Sequence, residues 1–349
     1  MDYLILLNPG HSRVYFEESK ALSKAEFSIA AARFDIPCLS VGQETVCGIK
    51  YLRFTAAERL SARDLALVSR LSFVYALFER RSDGALFPVQ KSEYRYCDDS
   101  ISSILKYTGK TNELFTRMMI NIAILSSDFT DERDIALLDP IAGKGTTLFE
   151  GLACGYNVSG IEIGTKAVSE MAAYFRKFLE TKKFKFSQKS EKVSGPNKSF
   201  TAQRYHYELA RSKQDLEVKT LTMIAGNSVY ADKVFTKNSF HILVGDLPYG
   251  VQHGSVTNEK QDTFTRNAIE LLKTCLPAWH GVLKPRGALV LAYNKLTTKQ
   301  PDLEKALRDI GFHVLDTEPY RQFEHRVDNS IRRDIVVAIK GNPGTALLE

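Results

Sequence analysis

The chain has 349 residues, a formal net charge of +6, 44% hydrophobic residues and 25% charged residues. That composition belongs to a globular protein with a sizeable core, in one large or two medium domains. It argues against a membrane protein, because no uncharged apolar run approaches the roughly 18 residues that a bilayer helix requires. Five cysteines (Cys38, Cys47, Cys97, Cys154 and Cys275) are widely spaced and include no Cys-x-x-Cys pair. The pattern argues against a disulfide framework or a thiolate metal site, fits a reducing cytoplasm, and leaves the cysteines as small buried fillers.

The positive charge is concentrated. Residues 176–219 hold twelve Lys or Arg against five Asp or Glu, a balance of +7, so the rest of the chain carries −1.

In chain order, the first apolar run, residues 3–7, follows acidic Asp2 and stops at Asn8-Pro9-Gly10. A signal peptide starts basic and runs longer, so this run reads as a strand. Residues 23–33 read as a helix and 46–54 as a β-rich run. Residues 60–78 read as a helix, with Leu60, Leu67, Val68, Leu71, Val74, Tyr75 and Phe78 on one stripe. Residues 80–109 look irregular, with Ser82-Asp83-Gly84 a turn and Asp98-Asp99-Ser100 a helix cap. Together they make a small α+β domain over residues 1–100, an accessory unit.

Beyond residue 110 the pattern sharpens. Asn112 caps a helix with Glu113 in its first turn and Leu114, Phe115, Met118, Met119, Ile122 and Leu125 on its apolar face. Residues 135–139 form a short buried strand, 146–154 a helix closed by Gly155, and 158–163 a second strand. Three more strands, 221–225, 240–245 and 288–293, are apolar throughout, as parallel strands buried on both faces are. Helices cover 264–283 and 302–310. Strands at 312–315 and 331–339 are joined too closely for a helical crossover, so they pair antiparallel. The fold class is therefore α/β: a doubly wound, mostly parallel sheet with an antiparallel edge strand, over residues 101–345. The basic insertion, 176–219, interrupts it, is too long for an ordinary loop and includes a helix over 203–213. Residues 342–349 read as a tail.

Three stretches carry chemistry. Asp139-Pro140-Ile141-Ala142-Gly143-Lys144-Gly145-Thr146-Thr147 sits at a strand-to-helix turn, where glycines admit a ligand to the backbone and the helix offers unpaired N–H groups. Nucleotides bind at such turns in doubly wound sheets. Leu148 occupies the third glycine position of Gly-x-Gly-x-x-Gly, and the spacing is not that of a Walker loop. Alone, the stretch is equally a tight βα turn. Glu162, in Gly160-Ile161-Glu162-Ile163, is placed to accept both hydroxyls of a ribose, or is a solvated strand-end charge.

The third stretch, Asp246-Leu247-Pro248-Tyr249-Gly250, follows a strand directly. An exocyclic base amine is a poor nucleophile, because its lone pair is delocalised into the ring. A carboxylate and a neighbouring carbonyl, each accepting one N–H, hold that nitrogen toward a tetrahedral shape. Pro248 fixes the backbone carrying the carbonyl, and Tyr249 offers a face for an extruded base.

In this order the stretches resemble the Asp-Pro-Phe-Ala-Gly-Ser-Gly-Thr and Asp/Asn-x-Pro-Tyr/Phe-Gly motifs of amino-methyltransferases that use S-adenosylmethionine. Among these, the chain looks similar to the THUMP-associated RNA guanine-N2 methyltransferases over residues 104–295. The resemblance implies a seven-stranded Rossmann-like methyltransferase sheet, S-adenosylmethionine as cofactor, and tRNA or rRNA as substrate and partner. It implies that Asp246, Leu247, Pro248 and Tyr249 serve the target amine, that Gly143 and Gly145 face the methionine part, and that Glu162 holds the ribose. It further implies that Thr111, Asn112 and Phe115 close over the cofactor. Asp139, Pro140, Ala142, Thr146, Thr147, Ile163, Asn227, Ser228 and Asp246 complete that cofactor set.

Three positions depart from the family pattern. Lys144 replaces a small polar residue, Gly164 stands where an acid or amide is usual, and Asn227 replaces the aspartate that accepts the adenine amino group. An amide oxygen still accepts that bond, more weakly. Smaller candidates have ordinary readings beside them. His253 is a substrate contact or a solvated loop residue, and His241 is a satisfied core residue. Arg326, Arg332 and Arg333 are phosphate contacts or edge-strand solubilisers. Phe184, Phe186, Phe200, Tyr205 and Tyr207 among the lysines suit single-stranded nucleic acid, or a solvated loop. The function read from this is methyl transfer to an exocyclic base amine in RNA. The alternatives are adenine N6 in DNA or RNA, or a catalytically silent cofactor- or RNA-binding module.

Overall fold

The computed structural model describes residues 1–10, 13–103, 110–195, 199–249 and 268–342. Its first part contains β1 (Asp2–Leu7), α1 (Arg13–Ala31), β2 (Cys38–Val46), β3 (Ile49–Ala56), α2 (Ala62–Arg70), β4 (Val74–Arg80), β5 (Leu86–Val89) and α3 (Ser100–Ser103). The five strands form an antiparallel sheet in the order β2-β3-β1-β4-β5. β1 is central, so Tyr3, Leu4 and Ile5 are all buried.

Three expectations for this part are corrected. The stripe over residues 60–78 is one helix and one strand. Ser61 and Asp64 build a capping box that starts α2, and the helix ends at Arg70. The Ser72 N–H and hydroxyl are claimed by the buried Glu26 of α1, and Phe73 O accepts from Asn8 N, so tertiary hydrogen bonds turn the chain into β4. The run 46–54 is broken by Cys47-Gly48, both at positive φ, into a hairpin turn between β2 and β3. Cys47 is exposed and Cys38 half-buried, so only Cys97, Cys154 and Cys275 are buried fillers.

The larger part contains α4 (Glu113–Ser126), β6 (Ala136–Asp139), α5 (Thr146–Ala153), β7 (Asn157–Glu162), α6 (Thr165–Thr181), β8 (Lys185–Ser194), β9 (Thr201–Ala210) and β10 (Lys219–Ala225). There follow α7 (Ala231–Val234), β11 (Phe240–Asp246), α8 (Ala268–Val282), β12 (Leu283–Asn294), α9 (Gln300–Asp309), β13 (Phe312–Val314), β14 (His325–Arg326) and β15 (Arg332–Lys340). The main path of the sheet runs β13-β15-β12-β11-β6-β7-β10-β9-β8, with β14 beside β15. Neighbours from β10 through β12 are parallel.

This sheet has ten strands, not the seven expected, and the reversed strand is not an edge strand: β15 lies antiparallel between β12 and β13. The basic insertion supplies two of the three extra strands, β8 and β9, and β14 is the third. Residues 203–213, expected as a helix, belong mostly to β9, which pairs antiparallel with β8 on one side and β10 on the other. The reason is a period of two: Tyr207 and Leu209 are buried, and Tyr207 packs its ring 5.0 Å from Phe175 and donates to Ala172 O at 3.1 Å. Phe184 packs against Tyr96 and Phe178, and Phe200 stacks on Tyr230, so these rings are engaged within the protein.

α4 starts at its expected cap: Asn112 Oδ1 accepts from Leu114 N and Phe115 N at 2.9 and 3.2 Å. It buries every residue from Phe115 to Ser126, as a helix packed on several sides does. Asn121 of α4 donates to Glu26 of α1 at 2.8 Å, joining the two parts through a buried bond. No helix among the described residues is long and apolar enough to cross a membrane.

Candidate active site

The chain order reverses between β6 and β11. From β6 it winds one way through β7 to β10, then returns to lay β11 and β12 on the other side. A crevice opens beyond the carboxyl ends of strands at such a switch point. Asp139 ends β6 and Asp246 ends β11, so the two carboxylates flank it.

The glycine turn is built from β6 outward. Asp139 is 3% exposed and accepts from Ile141 N at 3.0 Å. Burial pushes its carboxyl up to about 7 against hydrogen bonds from Thr147 and Ile141, with Asp246 and Glu162 adding to the rise. Gly143 and Gly145 both take positive φ, at 53° and 86°. At Gly143 a Cβ would meet nothing, so the backbone lies open. At Gly145 it would stand 2.3 Å from Met171 Sδ. Glu162 braces the turn: its Oε2 accepts from Gly143 N at 2.9 Å and its Oε1 from Gly164 N at 2.7 Å. Burial raises its pKa, and these backbone donors oppose the rise. Gly226 N donates to Glu162 O at 3.0 Å, setting Asn227 beside it.

The acid-bearing turn closes on itself. The Tyr249 hydroxyl donates to Asp246 Oδ1 and accepts from Arg333 Nε, the latter at 2.6 Å. Thr111 Oγ1 donates to Asp246 Oδ2 at 2.7 Å, and Arg333 stands 3.8 Å from the same oxygen. The Arg333 guanidinium lies 4.7 Å from the Phe115 ring centroid and 5.3 Å from that of Tyr249. Leu247 is buried, its N–H donating to Ala292 O at 2.9 Å, while Pro248 is exposed at the crevice.

A cavity of about 280 Å³ lies between these two turns, lined by Pro140, Ile141, Ile161, Glu162, Ile163, Gly226, Asn227, Ser228, Asp246, Pro248, Leu271, Thr274 and Cys275. That is near the lower end of the range of ligand pockets, about 300–1,000 Å³. A larger cleft of about 500 Å³ lies at the opposite end of β7, beside Cys154, Gly155 and Tyr156. Its arginines are largely engaged: Arg63 pairs with Asp131, Arg95 with Asp99, and Arg211 with Asp215.

Of the residues expected at the site, Pro140, Glu162, Ile163, Asn227, Ser228, Asp246 and Pro248 line the cavity. Asn227 Oδ1 accepts from Val229 N at 3.1 Å, and Ser228 Oγ accepts from Trp279 Nε1 at 2.8 Å. Ala142, Gly143, Gly145, Thr146 and Thr147 form the turn and helix start behind it. Asn112 serves as a helix cap, and Phe115 is fully buried beneath Arg333. Lys144 pairs with Glu170 at 3.3 Å on the surface.

His241 is a satisfied core residue as expected. Its Nδ1 accepts from Ala136 N at 2.8 Å, and its pKa falls to about 4, chiefly through burial. Arg326 and Arg332 are exposed, but Arg333 is 6% exposed and belongs to the acid-bearing turn, which neither reading of it anticipated. The sequence reading also missed Leu271, Thr274 and Cys275. They recur at helical spacing on α8, and only that spacing signalled them. Gly250 and His253 lie outside the described residues.

No family model matches the chain, and no curated protein matches it. Among solved structures it is similar to a SAM-dependent methyltransferase from Methanosarcina mazei, with 16% identity over 61% of this chain and 95% of that one, TM-score 0.38. It is also similar to the CurJ carbon methyltransferase, at 13% identity and TM-score 0.37. There the match covers 71% of this chain and 57% of that one. A third similarity is to 1,6-didemethyltoxoflavin-N1-methyltransferase from Burkholderia thailandensis, solved with S-adenosylhomocysteine, with 12% identity over 64% of this chain and 79% of that one, TM-score 0.35. Likenesses of this strength assign no activity to the chain.

Proposed function

We propose that this protein is an S-adenosylmethionine-dependent methyltransferase acting on an exocyclic base amine of RNA, with guanine N2 in tRNA or rRNA as the target. One observation carries the reading: Asp246 and Pro248 of the acid-bearing turn line the same cavity as Glu162 and Asn227, at the topological switch point. The seven-strand path β10-β7-β6-β11-β12-β15-β13, with one reversed strand, supports it.

The residues present suit the cofactor. Gly143 leaves open backbone, and Glu162 retains lone pairs for ribose hydroxyls beyond its two backbone donors. Pro140, Ile141, Ile163, Leu271 and Cys275 give apolar walls for a flat base. When bound, S-adenosylmethionine supplies an electrophilic methyl carbon on a cationic sulfur.

Asp246 accepts one N–H of the target amine and the carbonyl preceding Pro248 the other, so the nitrogen lone pair is turned out of conjugation. With the methyl donor bound, the amine would be held in line with it, and Asp246 or water would take the proton released from nitrogen. Most of the rate comes from alignment, which is worth up to roughly 7–11 kcal/mol.

The test is incubation with labelled S-adenosylmethionine and mixed RNA and DNA, followed by nucleoside mass spectrometry. N2-methylguanosine is the expected product. N6-methyladenine would move the target to adenine, and binding of the cofactor without transfer would leave a silent binding module.

A further inference from the structure

We infer that Arg333 is a positioning residue for the acid-bearing turn, holding the Tyr249 ring and the Asp246 carboxylate in register for the incoming amine. This rests on the function proposed above.

The reversal of β15 is what brings Arg333 there. Asp246 of β11 pairs with Ala292 of β12, and Ala292 pairs with Ile335 of β15. Because β15 runs antiparallel, its first residues lie at the carboxyl edge of the parallel strands. Arg333, opposite Asn294, therefore stands just beyond Asp246. A parallel strand would present its last residues at that edge.

A guanidinium at such depth is expensive unless it is paired. Burial would lower the Arg333 pKa, but Asp246 and Tyr249 outweigh it and raise it. The planar group lies between the Phe115 and Tyr249 rings, donates through Nε to the Tyr249 hydroxyl, and faces Asp246. Tyr249 passes the bond on to Asp246 Oδ1 while Thr111 holds Oδ2. Both carboxylate oxygens are thus oriented by protein donors, and the lone pairs left over set where an amine can bind. Lysine has the charge but not the flat fork, so it cannot make the bond and the ring contacts together.

The chain further ties this arrangement to its N-terminal part. Tyr15 of α1 packs edge-on against Phe115 at 6.5 Å and His325 at 6.2 Å, and His325 lies 4.9 Å from Phe115. The ring beneath Arg333 is therefore held from both parts of the molecule.

The experiment compares wild type, Arg333→Gln, Arg333→Lys, Tyr249→Phe and the Arg333→Gln/Tyr249→Phe double variant. It reads kcat and KM for methyl transfer to unmethylated tRNA, S-adenosylhomocysteine affinity by calorimetry, and Tyr249 nitration by tetranitromethane using peptide mass spectrometry. Arg333→Gln is expected to lose roughly 100-fold in kcat, the scale of a small misplacement of reacting groups, with cofactor affinity unchanged. Tyr249 becomes more reactive while the fully buried Tyr207 and Tyr293 stay protected, and adding Tyr249→Phe costs little more.

A kcat within about threefold of wild type with Tyr249 nitration unchanged, or losses that add in full, overturns the inference. If Arg333→Gln does not fold, Arg333→Lys decides by the same readings. If wild type methylates no nucleic acid, the proposed function fails, and the nitration pattern still decides whether Arg333 positions Tyr249.

Discussion

The backbone N–H of Gly143 donates at 2.9 Å to Oε2 of Glu162, a residue lining the cavity. Glu162 therefore serves the protein as well as any ligand, because its other oxygen accepts from Gly164. Glu162→Gln leaves one oxygen for two N–H donors and turns an NH₂ group toward the second. Orphaning that donor costs about 1–3 kcal/mol, read as a lower urea midpoint at constant slope. S-adenosylhomocysteine affinity falls with it, by at least about tenfold for one lost charge-assisted bond. Unchanged stability together with unchanged affinity would remove Glu162 from both roles.

Gly145 tests the packing behind the turn. An alanine there meets Met171 Sδ at 2.3 Å and must adopt a φ of 86°. The expected cost is about 2–4 kcal/mol, from overpacking plus left-handed strain. Met171→Ala in the same chain recovers the steric share and not the backbone share. Full additivity of the two substitutions in chemical denaturation would contradict that division.

Asp139 gives a pH signature. Its folded-state pKa, about 7, lies above the usual value of 3.8, with burial the main cause. The folded state therefore holds more protons than the unfolded state between those limits, and this group's contribution to stability declines as pH rises through them. Asp139→Asn removes the slope. The stability difference between variant and wild type should move in favour of the variant from pH 4 to pH 7, by a few kcal/mol at most, and stay level above. A difference that is flat across the range would show that Asp139 ionises as freely as an exposed carboxylate.

Under the proposed function, a substitution at Asp246 separates binding from chemistry. Asp246→Ala is expected to keep cofactor affinity nearly intact in calorimetry while cutting methyl incorporation by orders of magnitude. It also leaves Arg333 without its carboxylate, so the melting temperature drops as a buried charge loses its partner. Parallel loss of cofactor affinity and turnover would contradict the assignment.

Local signals carried much of this fold. Asn112 capped its helix because a side-chain amide oxygen two residues from free N–H groups needs no distant partner. The strand, glycine turn and helix from Ile135 to Gly155 were legible for the same reason: apolar strand, positive-φ glycines and helix start are all written within twenty residues. The stripe over 60–78 misled because Leu71, Val74 and Phe78 suit a helix as well as a strand. The deciding partner, Glu26, lies far away in sequence. Within residues 203–213, Arg204, His206 and Glu208 alternate with Tyr205, Tyr207 and Leu209, and it is this period of two that buries Tyr207 and Leu209.

The sequence alone determined three local stretches: a glycine turn, a strand-end glutamate and an acid-bearing turn, in that order. Their residue types and order are local properties of the chain. Only the tertiary structure decided that Asp246 would be held by Thr111 and Arg333, residues 135 positions before it and 87 after it. Strand order and the reversal of β15 set those distances, and no short-range propensity encodes either.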